Sequence, residues 1–134
     1  MAAFTRGIRG ATTVAANDVR SILEATRELL TEMQRRNEFS LDAVASVFFT
    51  VTGDLDTTFP ARAAREMGWD LVPMLCTSEI PVPGSLPRCI RVLLLLNTDR
   101  RQDEINHVYL REAVALRPDL AGGTSKGKDP CREG

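Results

Sequence analysis

Lysine is almost missing from this 134-residue chain: of 17 basic residues only Lys126 and Lys128 are lysines, and both lie near the end. Upstream of them arginine is the only basic residue. Genome composition accounts for such a bias as a whole, whereas particular arginines within it suit a bidentate grip on carboxylates. Histidine is also scarce. His107 stands alone, and Cys76, Cys89 and Cys131 follow no Cys-x-x-Cys spacing, so the sequence argues against a structural zinc site. The longest apolar run, Val92 to Leu96, is far short of a bilayer span, and Met1 to Arg6 lacks the apolar segment of a secretory signal. These absences read as a cytoplasmic protein with reduced thiols. A formal net charge of −1 gives no basic face for nucleic acid and no polybasic patch for a membrane.

What is present is an ordinary globular composition, 43% hydrophobic and 26% charged. A single domain of this size buries roughly two-thirds of the surface of its unfolded chain. The stretch from Leu71 to Asn97 organises the rest. Two short apolar runs flank a loop holding Pro81, Pro83, Gly84 and Pro87, and they read as two buried strands forming a central hairpin. Charge sits unexpectedly within them: Glu79 follows the first run, and Arg91 interrupts the second. A buried guanidinium costs several kcal/mol unless an anion meets it. Arg91 therefore points to function or to an interface ion pair.

In chain order, Arg6 to Val14 suits a strand whose glycines permit close backbone approach or a bulge around Ile8 and Arg9. Asn17 reads as the N-cap of one long helix over about 18 to 36, with Val19, Ile22, Leu23, Leu29, Leu30 and Met33 at helical spacing. Ser40 reads as the cap of a short turn, and Val44 to Thr52 as a buried strand. Phe59 to Met67 is a short helix with proline at its start, on which Arg62 and Arg65 share a face. Ile105 to Leu116 reads as irregular, with a short strand near Val108. Residues 121–134 have the composition of a mobile tail. The fold class is α+β, a mixed sheet of about five strands with one long helix over residues 1–120. One helix leaves a face or edge of such a sheet open, which favours an oligomer.

Several segments together carry a resemblance: Arg6 to Val14, Phe59 to Arg65, Cys76 to Glu79, Arg88 to Val92, and His107 to Leu110 with Leu116 to Leu120. In this order and register they resemble the monofunctional chorismate mutases of the AroH class over nearly all of residues 6 to 120. The resemblance implies a homotrimer shaped as a pseudo-α/β-barrel, with active sites in clefts between subunits. It implies conversion of chorismate to prephenate on the route to phenylalanine and tyrosine, without a cofactor or metal. It gives Arg91 the ether oxygen, Arg9 and Tyr109 the enolpyruvyl carboxylate, and Glu79 the ring hydroxyl, with Cys76 close beside Glu79. It places Phe59, Leu75, Thr77 and Ser78 along the pocket, and Arg65, Leu116 and Arg117 at its mouth. Arg62, also in the binding set, stands where a lysine is expected, and Pro81 and Pro83 change the loop after Glu79.

The residues agree with this for a physical reason. A dianionic substrate needs local cations on a nearly neutral protein, and Arg9, Arg91, Arg62 and Arg65 lie at glycines, within a strand and at a helix start. Taken singly, several positions have plainer readings. Glu79 suits a surface carboxylate, Cys76 a small buried hydrophobe, Tyr109 a core aromatic, and His107 a structural residue. Two other functions fit an Arg-lined cleft between subunits: a non-catalytic small-carboxylate-binding module, and a trimeric imine deaminase.

Overall fold

The computed structural model describes residues 2–117, so the expected tail at 121–134 lies outside the described residues. Strands β1 (Phe4–Thr13), β2 (Val44–Val51), β3 (Met74–Ser78), β4 (Cys89–Thr98) and β5 (Val108–Tyr109) form one sheet in the order β3-β2-β4-β1-β5. Helix α1 (Val19–Asn37) is long, and α2 (Ala61–Glu66) is short. β4 pairs antiparallel with β1 and β2, while the outer pairs β1–β5 and β2–β3 are parallel. This is the mixed five-stranded α+β architecture expected from the pattern.

The helix begins one residue later than expected. Asp18, with an extended backbone, is the N-cap; its carboxylate accepts from the Ser21 N–H at 2.7 Å, which also holds it below the usual carboxylate range. Asn17 instead ties the helix entrance to the next loop, donating to Asp56 Oδ1 and accepting from the Asp56 N–H. In the last turn Arg35 and Arg36 both pair with Glu32, at 2.8 and 2.9 Å, and place positive charge near the C-terminal end of the helix dipole, while Glu38 closes the helix in the left-handed conformation, φ 49°. The Leu41–Ala43 turn forms as expected, although the Ser40 side chain makes no cap bond.

Alternation along the strands sorts the sheet into two unlike faces. Ile8, Val47, Phe49, Val92 and Leu94 are buried against Leu29, Leu30 and Met33 of α1. Gly10 lies in that layer, and a Cβ there would come within 2.5 Å of Met33 Sδ. The glycine therefore serves close approach and not a bulge: β1 pairs with β4 without a break from Phe4 opposite Thr98 to Thr13 opposite Cys89. On the other face Phe48, Leu93 and Leu75 remain 37%, 41% and 58% exposed. Apart from a 3₁₀ turn, Arg111–Leu116, which brings Ala113 and Leu116 against Ala11 and Tyr109, that face is uncovered among the described residues.

This asymmetry corrects three expectations. β2 is buried on alternate residues and not throughout, because α1 covers one side of it. The first apolar run is not a buried strand: β3 starts only at Met74 and lies half-exposed at the sheet edge, and Leu71 is 95% exposed. No hairpin joins β3 to β4, since β2 inserts between them. Strand order depends on pairing partners far away in sequence, which a local apolar pattern does not encode.

Candidate active site

A cleft of about 410 Å³ opens on the uncovered face, lined by Arg9, Gly10, Ala11, Thr50, Ser78, Glu79, Ile80, Arg91, Val92, Leu93 and Tyr109. The strand register builds it. Arg91 of β4 lies opposite Thr50 of β2 on one side and Ala11 of β1 on the other, and Ala11 in turn pairs with Tyr109 of β5. Arg9, two residues before Ala11, points to the same face. Segments far apart in sequence thus place two guanidiniums and a phenol around one space.

Glu79 sits at the end of β3, where its N–H donates to the Val51 carbonyl at 2.8 Å and continues the β2–β3 pairing by one residue. The Thr50 hydroxyl donates to Glu79 Oε2. The same oxygen lies 3.5 Å from Arg91 Nε, and both side chains are only partly exposed, 27% for Arg91 and 21% for Glu79. Arg91 Nε is buried and makes no hydrogen bond among the described residues. The carboxylate therefore orients the guanidinium without a close hydrogen bond to that nitrogen.

The entry to β4 is tightly fixed. Arg88 adopts a left-handed backbone, φ 46°, which a non-glycine residue rarely takes without support. Asp54 gives that support, accepting from the Arg88 N–H at 3.0 Å and from the Thr52 hydroxyl at 2.5 Å. Burial pushes the Asp54 carboxyl up, but these hydrogen bonds outweigh it and hold the group below the usual range. The Thr52 hydroxyl also accepts from the Cys89 N–H at 3.0 Å, and Arg88 Nε donates to the Val14 carbonyl at 3.0 Å. Arg91 thus follows an anchored turn.

Cys89, which the sequence did not single out, lies two residues before Arg91 on the same strand, near enough for the guanidinium charge to act on its thiol. Burial pushes its thiol up to about 11 despite that cation. The strand therefore carries a buried neutral thiol, and not a thiolate, two residues before Arg91. Thr50, Ile80 and Leu93 were also missed; their one signal was strand alternation, which identifies a face only once the strand order is known.

Of the expected site residues, Arg9, Ser78, Glu79, Arg91 and Tyr109 meet in this cleft. Leu116 packs against the Tyr109 cluster beside it, and Arg117 is 2% exposed, buried and not at an open mouth. Phe59, Arg62, Arg65, Leu75, Cys76 and Thr77 do not line it: Leu75 and Thr77 share its sheet face at the outer strand β3, opposite Phe48 and Thr50, while Phe59, Arg62 and Arg65 lie at and around α2. Phe59 is 67% exposed, and Arg62 pairs with Glu66 at 3.1 Å. Cys76 does not adjoin Glu79 in this chain. Its side chain packs on the α1 side of the sheet; burial raises its thiol pKa, with the Ala61 backbone and Arg65 nearby. One chain thus carries the expected residues in two groups, those that line the cleft and those on β3 and around α2 that do not.

The comparisons with known proteins agree with one another. The family described as "Chorismate mutase type I" matches residues 5–120. The chain is 59% identical over 118 residues to the chorismate mutase AroH of Thermus thermophilus, covering 87% of this chain and 97% of that protein. It is 45% identical over 117 residues to the chorismate mutase AroH of Bacillus subtilis (strain 168), covering 87% and 92%. A solved chorismate mutase from Clostridium thermocellum superposes with a TM-score of 0.80 at 50% identity, covering 81% of this chain and 97% of that one.

Proposed function

The chain belongs to the type I chorismate mutase family and rearranges chorismate to prephenate in aromatic amino-acid biosynthesis, and we propose that it does so in clefts completed by a second copy of itself. The observation that carries this reading is the Arg91–Glu79–Thr50 cluster, with Arg9 and Tyr109 around the same cleft, on a sheet face that the described residues leave open. The rearrangement is pericyclic and needs neither a nucleophile nor a proton transfer. It needs the substrate held in a compact chair and a fixed positive charge where negative charge develops on the ether oxygen. Arg91 supplies that charge. At a separation of 4 Å a pair of unit charges interacts by about 1 kcal/mol in water and about 4 kcal/mol at the effective dielectric of a protein surface, so partial exclusion of water gives the guanidinium its effect.

Arg9 and Tyr109 take the enolpyruvyl carboxylate, and Glu79 takes the ring hydroxyl while orienting Arg91. Phe59, Arg62, Arg65, Leu75, Cys76 and Thr77 reach the same substrate from the neighbouring subunit, and Leu116 and Arg117 close the side of the cleft. A homotrimer in the cytoplasm is the assembly that fits. The exposed apolar positions Phe48, Leu75 and Leu93 support it, because a face of this kind is normally covered. The binding-module and imine-deaminase readings are not favoured by any feature of the site. Loss of the chorismate diene absorbance on adding the protein, with prephenate as product, tests the reading directly. Unchanged turnover in a folded Arg91→Ala variant would remove Arg91 from the mechanism.

A further inference from the structure

We propose that His107 is a positioning residue for Arg9: its neutral imidazole, with Nδ1 bare, fixes the β1 backbone at the level from which the Arg9 guanidinium enters the cleft. The argument starts from the outer edge of β1. β5 pairs with β1 only at Gly10 and Ala11, and the Leu110 N–H donates to the Ala11 carbonyl at 2.9 Å. Further toward the N-terminus side chains take the place of a strand. The Gln102 amide donates to the Gly7 carbonyl at 2.8 Å and accepts from the Gly7 N–H at 3.2 Å. Between these two points lies Arg9, whose N–H donates to His107 Nδ1 at 2.9 Å.

Gly7, Arg9 and Ala11 are the alternate residues whose backbone groups face this edge. The imidazole therefore holds the ladder at the one residue of the three that sends a guanidinium into the cleft. His107 is 5% exposed, so water would not readily replace it as acceptor, and a buried amide left without one is costly. A backbone N–H can only donate, which requires Nδ1 to carry no proton; a neutral ring then has its proton on Nε2. His107 directly precedes β5 in the chain, so the pairing of Val108 with Gly10 sets where its ring lies.

The proposal rests on Arg9 being a ligand of the substrate carboxylate, and its tests separate the two. His107 is the sole histidine, so ¹⁵N NMR of the wild-type imidazole needs no assignment by mutation. A bare Nδ1 and a protonated Nε2 at neutral pH are expected; a proton on Nδ1 would overturn the proposal. In steady-state kinetics with chorismate, His107→Leu should raise KM about tenfold with a smaller change in kcat, the scale of one lost hydrogen bond. His107→Asn, whose Oδ1 can accept near the place of Nδ1, should recover to within about threefold of wild type. In an Arg9→Ala background His107→Leu should have almost no further effect. If its full penalty persists there, His107 acts on something other than Arg9 and the proposal fails alone. If Arg9→Ala matches wild type, the carboxylate role of Arg9 fails, and the proposal with it. Should His107→Leu not fold, the wild-type ring tautomer and the His107→Asn kinetics decide the matter.

Discussion

At the scale of single residues, Arg91→Lys separates charge from geometry. Lysine keeps one positive charge but loses the planar fork, and its more strongly hydrated ammonium must be stripped of water. A loss in kcat on the order of 10²-fold is expected, with Arg91→Ala lower still, while Arg65→Ala should chiefly raise KM. Wild-type kcat in a folded Arg91→Lys would reduce Arg91 to an interface ion pair. Cys89 sets a limit of another kind. Its thiol, pushed up to about 11 by burial, stays protonated at lower pH and becomes an anion beside Arg91 only above that value. The rate should therefore be nearly flat from about pH 6 to 9 and fall as pH approaches the thiol value, with Cys89→Ser extending the plateau. A bell-shaped profile near neutrality would instead indicate acid–base catalysis. Arg91 and Glu79 were legible in the sequence because each charge broke an apolar pattern. Cys89 and Thr50 were not, since a cysteine or threonine within a strand looks the same whether it faces a core or a cleft.

At the scale of elements, α1 was readable because its apolar spacing, a capping residue just before it and an Arg-rich end lie in one continuous segment. The placing of β3 and β4 was not. Both runs were recognised, but β2 comes between them, and the partner of a strand is fixed by the whole sheet and not by its own residues. The contact of α1 with β1 can be probed at Gly10. A methyl group there meets Met33 and Leu29, both fully buried. Overpacking of this kind costs about 1–3 kcal/mol, more than the roughly 0.5 kcal/mol gained by removing a glycine from a strand. Gly10→Ala should thus lower the denaturation midpoint in urea with an unchanged m-value. A stabilised variant would show that Met33 swings aside freely.

At the scale of the whole molecule, the two groups of expected site residues make the assembly testable without a structure of it. Native mass measurement should give a trimer. At chorismate well below KM, where both are poorly active, Arg91→Ala and Arg65→Ala chains should regain activity when refolded together, because about a quarter of randomly assorted interfaces then carry an intact arginine from each side. Mixtures no more active than the average of their parts would mean that each chain works alone. The sheet order has one more consequence, for how the protein comes into being. β1 is synthesised first, yet its partners are β4 and β5, with Phe4 opposite Thr98 and Ala11 opposite Tyr109. During translation α1 can cover the inner face of the first strand early, but both backbone edges of that strand stay unpaired until almost the entire described chain has left the ribosome. Such long-range pairing slows folding relative to a helical domain of equal length. A nascent chain halted before β4 therefore has no place for Arg9, and catalytic competence arrives only with the last strands.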